Sequence, residues 1–150
     1  MPWWISGGWA IDLFIGHQTR PHGDIDVLIL RKDQLKVQQH LSGWDLHKTG
    51  QPGLKPWLTG EFLGPPVNDI WCRRTPTSAW SIQLMFMEVR DDSWIFRRDP
   101  LISGLIASLG RISQSGIPYL SPEIQLLYKA DNLEIDRNNA DFKAAVSLRA

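Results

Sequence analysis

The chain is 150 residues long, 43% hydrophobic and 21% charged, with 16 Lys plus Arg against 16 Asp plus Glu. That is one ordinary domain with enough apolar content to hold a core, which excludes disorder. Balanced charge removes any global drive toward nucleic acid. No apolar run reaches the roughly 18 residues of a membrane helix, and a single cysteine, Cys72, excludes an intrachain disulfide.

Trp3 to Ser6 is short, aromatic and β-branched, and reads as a strand. Gly7-Gly8 follows, then Trp9, Ala10, Leu13 and Phe14 at helical spacing, with Gly16 as the stop. Thr19-Arg20-Pro21-His22-Gly23 is loop chemistry. Asp24 to Leu30 reads as a buried strand that opens on two acids. Asp33 is placed to cap a helix running to Leu41, ended by Gly43. Trp44 to His47 reads as a strand, after which glycines and prolines break the pattern as far as Pro66. Asp69 to Arg73 reads as a strand. Trp80 to Val89 reads as a longer one, with Ile82, Leu84 and Phe86 on one face and Gln83, Met85 and Met87 on the other. A polar turn at 90–93 and the return of Trp94 to Arg97 make a hairpin. Ser121-Pro122-Glu123 is a helix start, followed by Ile124, Leu127 and Tyr128 at helical spacing. A polar break from 131 to 138 precedes a second helix over 139–148. The order predicts an α/β or α+β domain with a small helical C-terminal part.

Two features carry chemistry. Asp24 and Asp26 alternate along one strand, so their side chains share a side. Paired carboxylates repel near a core unless a cation neutralises them, and an oxygen-only donor set suits Mg²⁺ or Mn²⁺. An exposed strand edge produces the same triplet. The second feature is Ser6-Gly7-Gly8 between strand and helix. Glycines there let backbone N–H groups approach a phosphate at a helix N-terminus, although a ligand-free tight turn uses the same letters.

The two features together are more specific. Trp4-Ile5-Ser6-Gly7-Gly8-Trp9-Ala10-Ile11-Asp12, followed by Thr19-Arg20-Pro21-His22-Gly23-Asp24-Ile25-Asp26, resembles the aminoglycoside and lincosamide nucleotidyltransferases of the DNA polymerase β-like superfamily. Pro118 to Ala130 and Ala140-Asp141-Phe142 are also similar to that group. The resemblance implies an α+β nucleotidyltransferase fold, a mixed β-sheet flanked by helices. It divides the chain into a core over 1–110 and a C-terminal hairpin and helical segment over 111–150, packed as one compact domain. It implies transfer of a nucleoside monophosphate, AMP from ATP, to a hydroxyl of a small-molecule acceptor such as an aminoglycoside or lincosamide. Asp24 and Asp26 match the metal pair, and Ser6, Gly7 and Gly8 match the turn that holds the β- and γ-phosphates. Such enzymes add a third carboxylate from a neighbouring strand. Gln83 stands about where an acid is expected on the central strand, so Glu88, the nearest acid, is assigned that role. Asp91 and Asp92 fall in the turn and are read as solvated.

Other residues have two readings. Arg20 suits a phosphate contact and His22 an orienting role, or both fix their loop by pairing with Asp12 or Asp24. Asp12 is read as a structural partner. Lys129 is assigned to the triphosphate, with an ordinary surface lysine as the alternative. Arg137 is followed by Asn138-Asn139 where relatives carry a basic residue. Arg73-Arg74 and Arg97-Arg98 are read as solvated pairs. His17, His40 and His47 lack metal-ligand spacing, and Cys72 lacks a catalytic constellation. Enzymes of this kind also place a helix ahead of the first strand. Here the turn comes close to Met1, so Trp3 or Trp4 is expected to be exposed, which allows a homodimer. With no basic-then-apolar leader at Met1-Pro2-Trp3-Trp4-Ile5, a cytoplasmic location is expected. No nucleic-acid or membrane partner is expected. The alternative to catalysis is a non-catalytic module of the same fold, an antitoxin-type partner protein.

Overall fold

The computed structural model describes residues 1–50 and 53–130, apart from the side chains of 129 and 130. The helix expected over 139–148, Arg137 and the Lys129 side chain lie outside the described residues. The elements are β1 (Trp3–Ser6), α1 (Gly7–Ile15), β2 (Ile25–Leu30), α2 (Gln34–His40), β3 (Asp45–Thr49), β4 (Leu54–Pro56), β5 (Asp69–Arg73), β6 (Ile82–Arg90), β7 (Ser93–Ile95), β8 (Ser103–Leu105), β9 (Gly110–Ile112), β10 (Pro118–Leu120) and α3 (Pro122–Ala130). Short 3₁₀ turns at Arg31–Asp33 and Ile106–Ser108 precede α2 and β9.

The strands form one mixed sheet in the order β4-β3-β5-β6-β2-β1-β10-β9, with β7 and β8 continuing from the far end of β6. β2 runs parallel to β6 and β1 parallel to β10; the other pairs are antiparallel. Alternation along the central strands divides their side chains between two cores. Leu28, Leu30 and Met87 join Trp4, Trp94 and Leu120 beneath Ala10 of α1 and Ile124 of α3. Ile29, Leu84 and Phe86 join Ile70 and Cys72 beneath Val37 of α2, with Trp57 and Leu63 from the connection after β4. Burying large apolar side chains contributes about 1.5–3 kcal/mol each, so both layers are needed.

The opening strand–turn–helix–strand reads as expected. The helix begins at Gly7 itself and ends on Gly16, whose φ of 98° is left-handed and whose N–H donates to the Asp12 carbonyl. Asp33 sits at the cap position of α2 but makes no side-chain capping bond. The glycine- and proline-rich stretch contributes the short strand β4 and buries Trp57 and Leu63. Strands β8, β9 and β10 were not legible in the sequence, and β10 lies inside the sheet, between β1 and β9. No helix among the described residues is long and apolar enough to cross a membrane.

Candidate active site

A cleft of about 480 Å³ opens over the sheet face that carries α1 and α3. Register builds its floor. Ser6 of β1 lies beside Asp26 of β2, Asp26 beside Gln83 of β6, and Gln83 beside Trp71 of β5. The next row places Met85 beside Asp69. Asp24, just ahead of β2, and Asp26 both line the cleft, as do Ser6, Gly7 and Gly8.

The turn and the acid are packed against each other. Gly7 has φ +67°, and a Cβ there would collide with Asp26 Oδ2. A Cβ on Gly8 would collide with the Arg20 guanidinium and the His22 ring. Both glycines are therefore required by close approach, the first also by its backbone conformation. The first amides of a helix have no acceptor within the helix; that of Gly7 donates to Gln125 Oε1 of α3 at 2.8 Å. Asp12 ties down the loop before the acids. Thr19 Oγ1 donates to its Oδ1 at 2.6 Å, and His22 Nε2 lies 2.5 Å from its Oδ2. The His22 ring also packs on Trp9, 4.6 Å between centroids. Asp12 thus partners Thr19 and His22, His22 also lines the cleft, and Arg20 lies against the turn.

Glu88 is not brought to this cleft. Its position on β6 has the parity of Leu84 and Phe86, so it leaves the opposite face of the sheet and bonds Arg31 Nε. Arg31 also donates to the carbonyls of Leu63 and Val67 and to Asn68 Oδ1. The acid that does line the cleft is Asp69. Burial pushes its carboxyl up, opposed by a 3.5 Å contact from Gln83 Nε2 and by the charges of Arg97 and Arg98. The two arginines are exposed but line this cleft rather than pointing away from it. Arg98 donates to the Tyr128 carbonyl at 3.1 Å, and burial pushes the Tyr128 hydroxyl up. Asp69, Trp71, Arg97, Arg98, Gln125 and Tyr128 were missed in the sequence. For Asp69 a signal existed: an acid opens an apolar strand there just as at Asp24.

Among the described residues no three His, Cys, Asp or Glu side chains cluster closely enough to hold a metal alone. The acid pair nonetheless fits Mg²⁺ or Mn²⁺. Its donors are hard oxygens, and Mg²⁺ is commonly held by one or two carboxylates with substrate phosphates and water completing the shell. The missing Cβ of Gly7 lets the Asp26 carboxylate pack directly against the turn.

Residues 1–51 match the model of the aminoglycoside-2''-adenylyltransferase family. Over that stretch the chain is similar to 2''-aminoglycoside nucleotidyltransferases. A 2''-aminoglycoside nucleotidyltransferase from Klebsiella pneumoniae is 59% identical over 45 residues, 29% of this chain and 25% of that protein. One from Escherichia coli is 59% identical over 27 residues, 18% of this chain and 15% of that protein. The matches thus span a quarter or less of those relatives' length. The fold extends further. A lincomycin-bound lincosamide adenylyltransferase, LnuA, aligns over 92% of this chain and 85% of its own, with TM-score 0.55 and 20% identity. ANT(2'')-Ia in complex with adenylyl-2''-tobramycin aligns over 99% of this chain and 80% of its own, with TM-score 0.60 and 16% identity. The α+β nucleotidyltransferase fold is therefore the fold of this chain.

Proposed function

We propose that this chain transfers a nucleoside monophosphate, AMP from ATP, to a hydroxyl of a small-molecule acceptor of the aminoglycoside or lincosamide kind. The observation that carries this reading is the meeting of Asp24 and Asp26 with the Gly7-Gly8 turn in one cleft, with Asp69 facing the same space. Mg²⁺ or Mn²⁺ on Asp24 and Asp26 would supply charge stabilisation at the phosphates.

The chain's own groups do the rest. The N-terminus of α1 and the Gly8 backbone hold the β- and γ-phosphates. Arg20, against that turn, adds a guanidinium fork for phosphate oxygens. Ser6 closes the turn, and Lys129 is retained as a triphosphate contact on sequence grounds. Asp69 takes the third-carboxylate role in place of Glu88. Burial raises the proton affinity of its carboxylate, and the ionised form is the one that accepts the hydroxyl proton. The acceptor oxygen bonds to the α-phosphorus, the bond to pyrophosphate breaks, and the hydroxyl proton passes to Asp69. The described part of the second segment, 111–130, belongs to the same compact domain as the core in this reading, because β10 is an internal strand of the sheet. A reducing, cytoplasmic setting suits the buried free thiol of Cys72.

The test is pyrophosphate release from ATP and Mg²⁺ with tobramycin or lincomycin. Release that depends on acceptor and metal, and that Asp26→Asn removes from a folded protein, is expected. Nucleotide binding without turnover on either acceptor would replace this reading with the non-catalytic module.

A further inference from the structure

The sheet order fixes where an acceptor must approach. In-line displacement puts the attacking and leaving oxygens on opposite sides of the α-phosphorus. The pyrophosphate end lies toward α1, which follows β1. β1 borders β2 on one side, and β6 and then β5 border it on the other. The acceptor side is therefore the floor over β6 and β5. Trp71 occupies this floor two strands from Asp26, roughly 10 Å at ordinary strand spacing, and shares a face of β5 with Asp69.

Trp71 is also held from behind. Trp80 packs edge-on against it, 6.2 Å between ring centroids. The Arg73 guanidinium lies 4.0 Å from the Trp80 ring centroid, and His47 meets the same ring edge-on at 5.3 Å. Asp45 anchors both, accepting from Arg73 Nε at 2.7 Å and lying 3.0 Å from His47 Nε2. Five side chains thus form a braced stack whose open end is Trp71. Nothing in the cleft's phosphate-binding half uses it.

We propose that Trp71 is the acceptor platform, taking the apolar C–H face of a sugar ring and directing one ring hydroxyl to Asp69, with Trp80 as its positioning residue. A large flat ring with two rotatable bonds provides contact area at low ordering cost. This inference rests on the transfer reading above.

The experiment measures binding apart from turnover. Calorimetry on the whole chain gives dissociation constants for MgATP alone and for tobramycin and lincomycin in the presence of a non-hydrolysable ATP analogue. Trp71→Leu, which keeps an apolar side chain but loses the ring, is expected to weaken the better-bound acceptor about 5- to 100-fold, the range of a lost stacking contact. MgATP affinity should stay within about twofold. Trp71→Phe is expected to restore most of the affinity, and Trp80→Leu to cause a smaller loss, about two- to fivefold. Equal weakening of MgATP and acceptor, no acceptor weakening in folded Trp71→Leu, or no acceptor binding by the wild type would each overturn the platform. Absence of pyrophosphate release with this binding pattern intact would refute transfer while leaving the platform standing.

Discussion

The two walls of the cleft are built in different ways. The wall proposed to hold phosphate comes from one continuous stretch, Ser6 to Asp26, folded back on itself by the β1–β2 pairing. Its parts interlock at van der Waals contact, with Gly7 against Asp26 and Gly8 against Arg20 and His22. The opposite wall is gathered from β5, the loop after β7, and α3. Its members meet only because β6 lies between β2 and β5. A local wall tolerates little substitution, whereas a gathered wall can exchange its side chains one at a time. This contrast fits a common chemistry on one side and acceptor choice on the other.

The sharpest way to break the contrast is at the acids. Asp26→Asn on the local wall is expected to lower metal-dependent turnover by about 10³-fold or more, read as pyrophosphate release with an unchanged circular dichroism spectrum. Asp69→Asn on the gathered wall should reduce kcat by about 10²–10⁴-fold, the usual worth of a general base, while MgATP affinity is kept. If Asp69→Asn weakens nucleotide binding as much as Asp26→Asn does, the two walls are not functionally distinct.

Stability separates them next. Gly7→Ala is expected to cost about 1–3 kcal/mol in urea unfolding, from the strained φ and the collision with Asp26. Glu88→Ala should cost about 2 kcal/mol by leaving buried Arg31 short of its carboxylate, with per-molecule turnover near wild type. A large turnover loss there would return the third-carboxylate role to Glu88. The smallest effect concerns Cys72. Burial pushes its thiol up to about 12 from 9.0, so a thiol reagent at pH 8 should label it only in urea. The unfolded chain loses this proton first, so stability should fall as pH rises from about 9 toward 12 and be indifferent to this group below that.

The local wall was legible in the sequence because each of its parts is a neighbour along the chain: a strand, two glycines, a helix stop and a pair of acids at strand alternation. The gathered wall was not, because strand order is absent from local pattern. Glu88 is instructive. The alternation that set Ile82, Leu84 and Phe86 on one face already put residue 88 with them, on the side away from Gln83 and Met85. Closeness in sequence to the expected position outweighed parity, and parity was right. Asp69 carried the same acid-before-apolar-strand pattern as Asp24, but nothing in the letters showed that β5 would lie one strand beyond β6. Arg97 and Arg98 read as solvated because they follow a strand, and they are exposed; only the fold turns that exposure toward the cleft. The three-residue strands β8, β9 and β10 are too short for periodicity to register.

Asp12 makes two bonds to the loop ahead of the acids, through Thr19 and His22. The segment between helix and strand is thereby stapled to the helix whose first turn lines the cleft. Acids and amides then keep their spacing before any ligand arrives, so under the proposed function little ordering entropy is left to lose on nucleotide binding. Cutting that staple would show as slower, weaker nucleotide capture in a protein whose chemical groups are all still present.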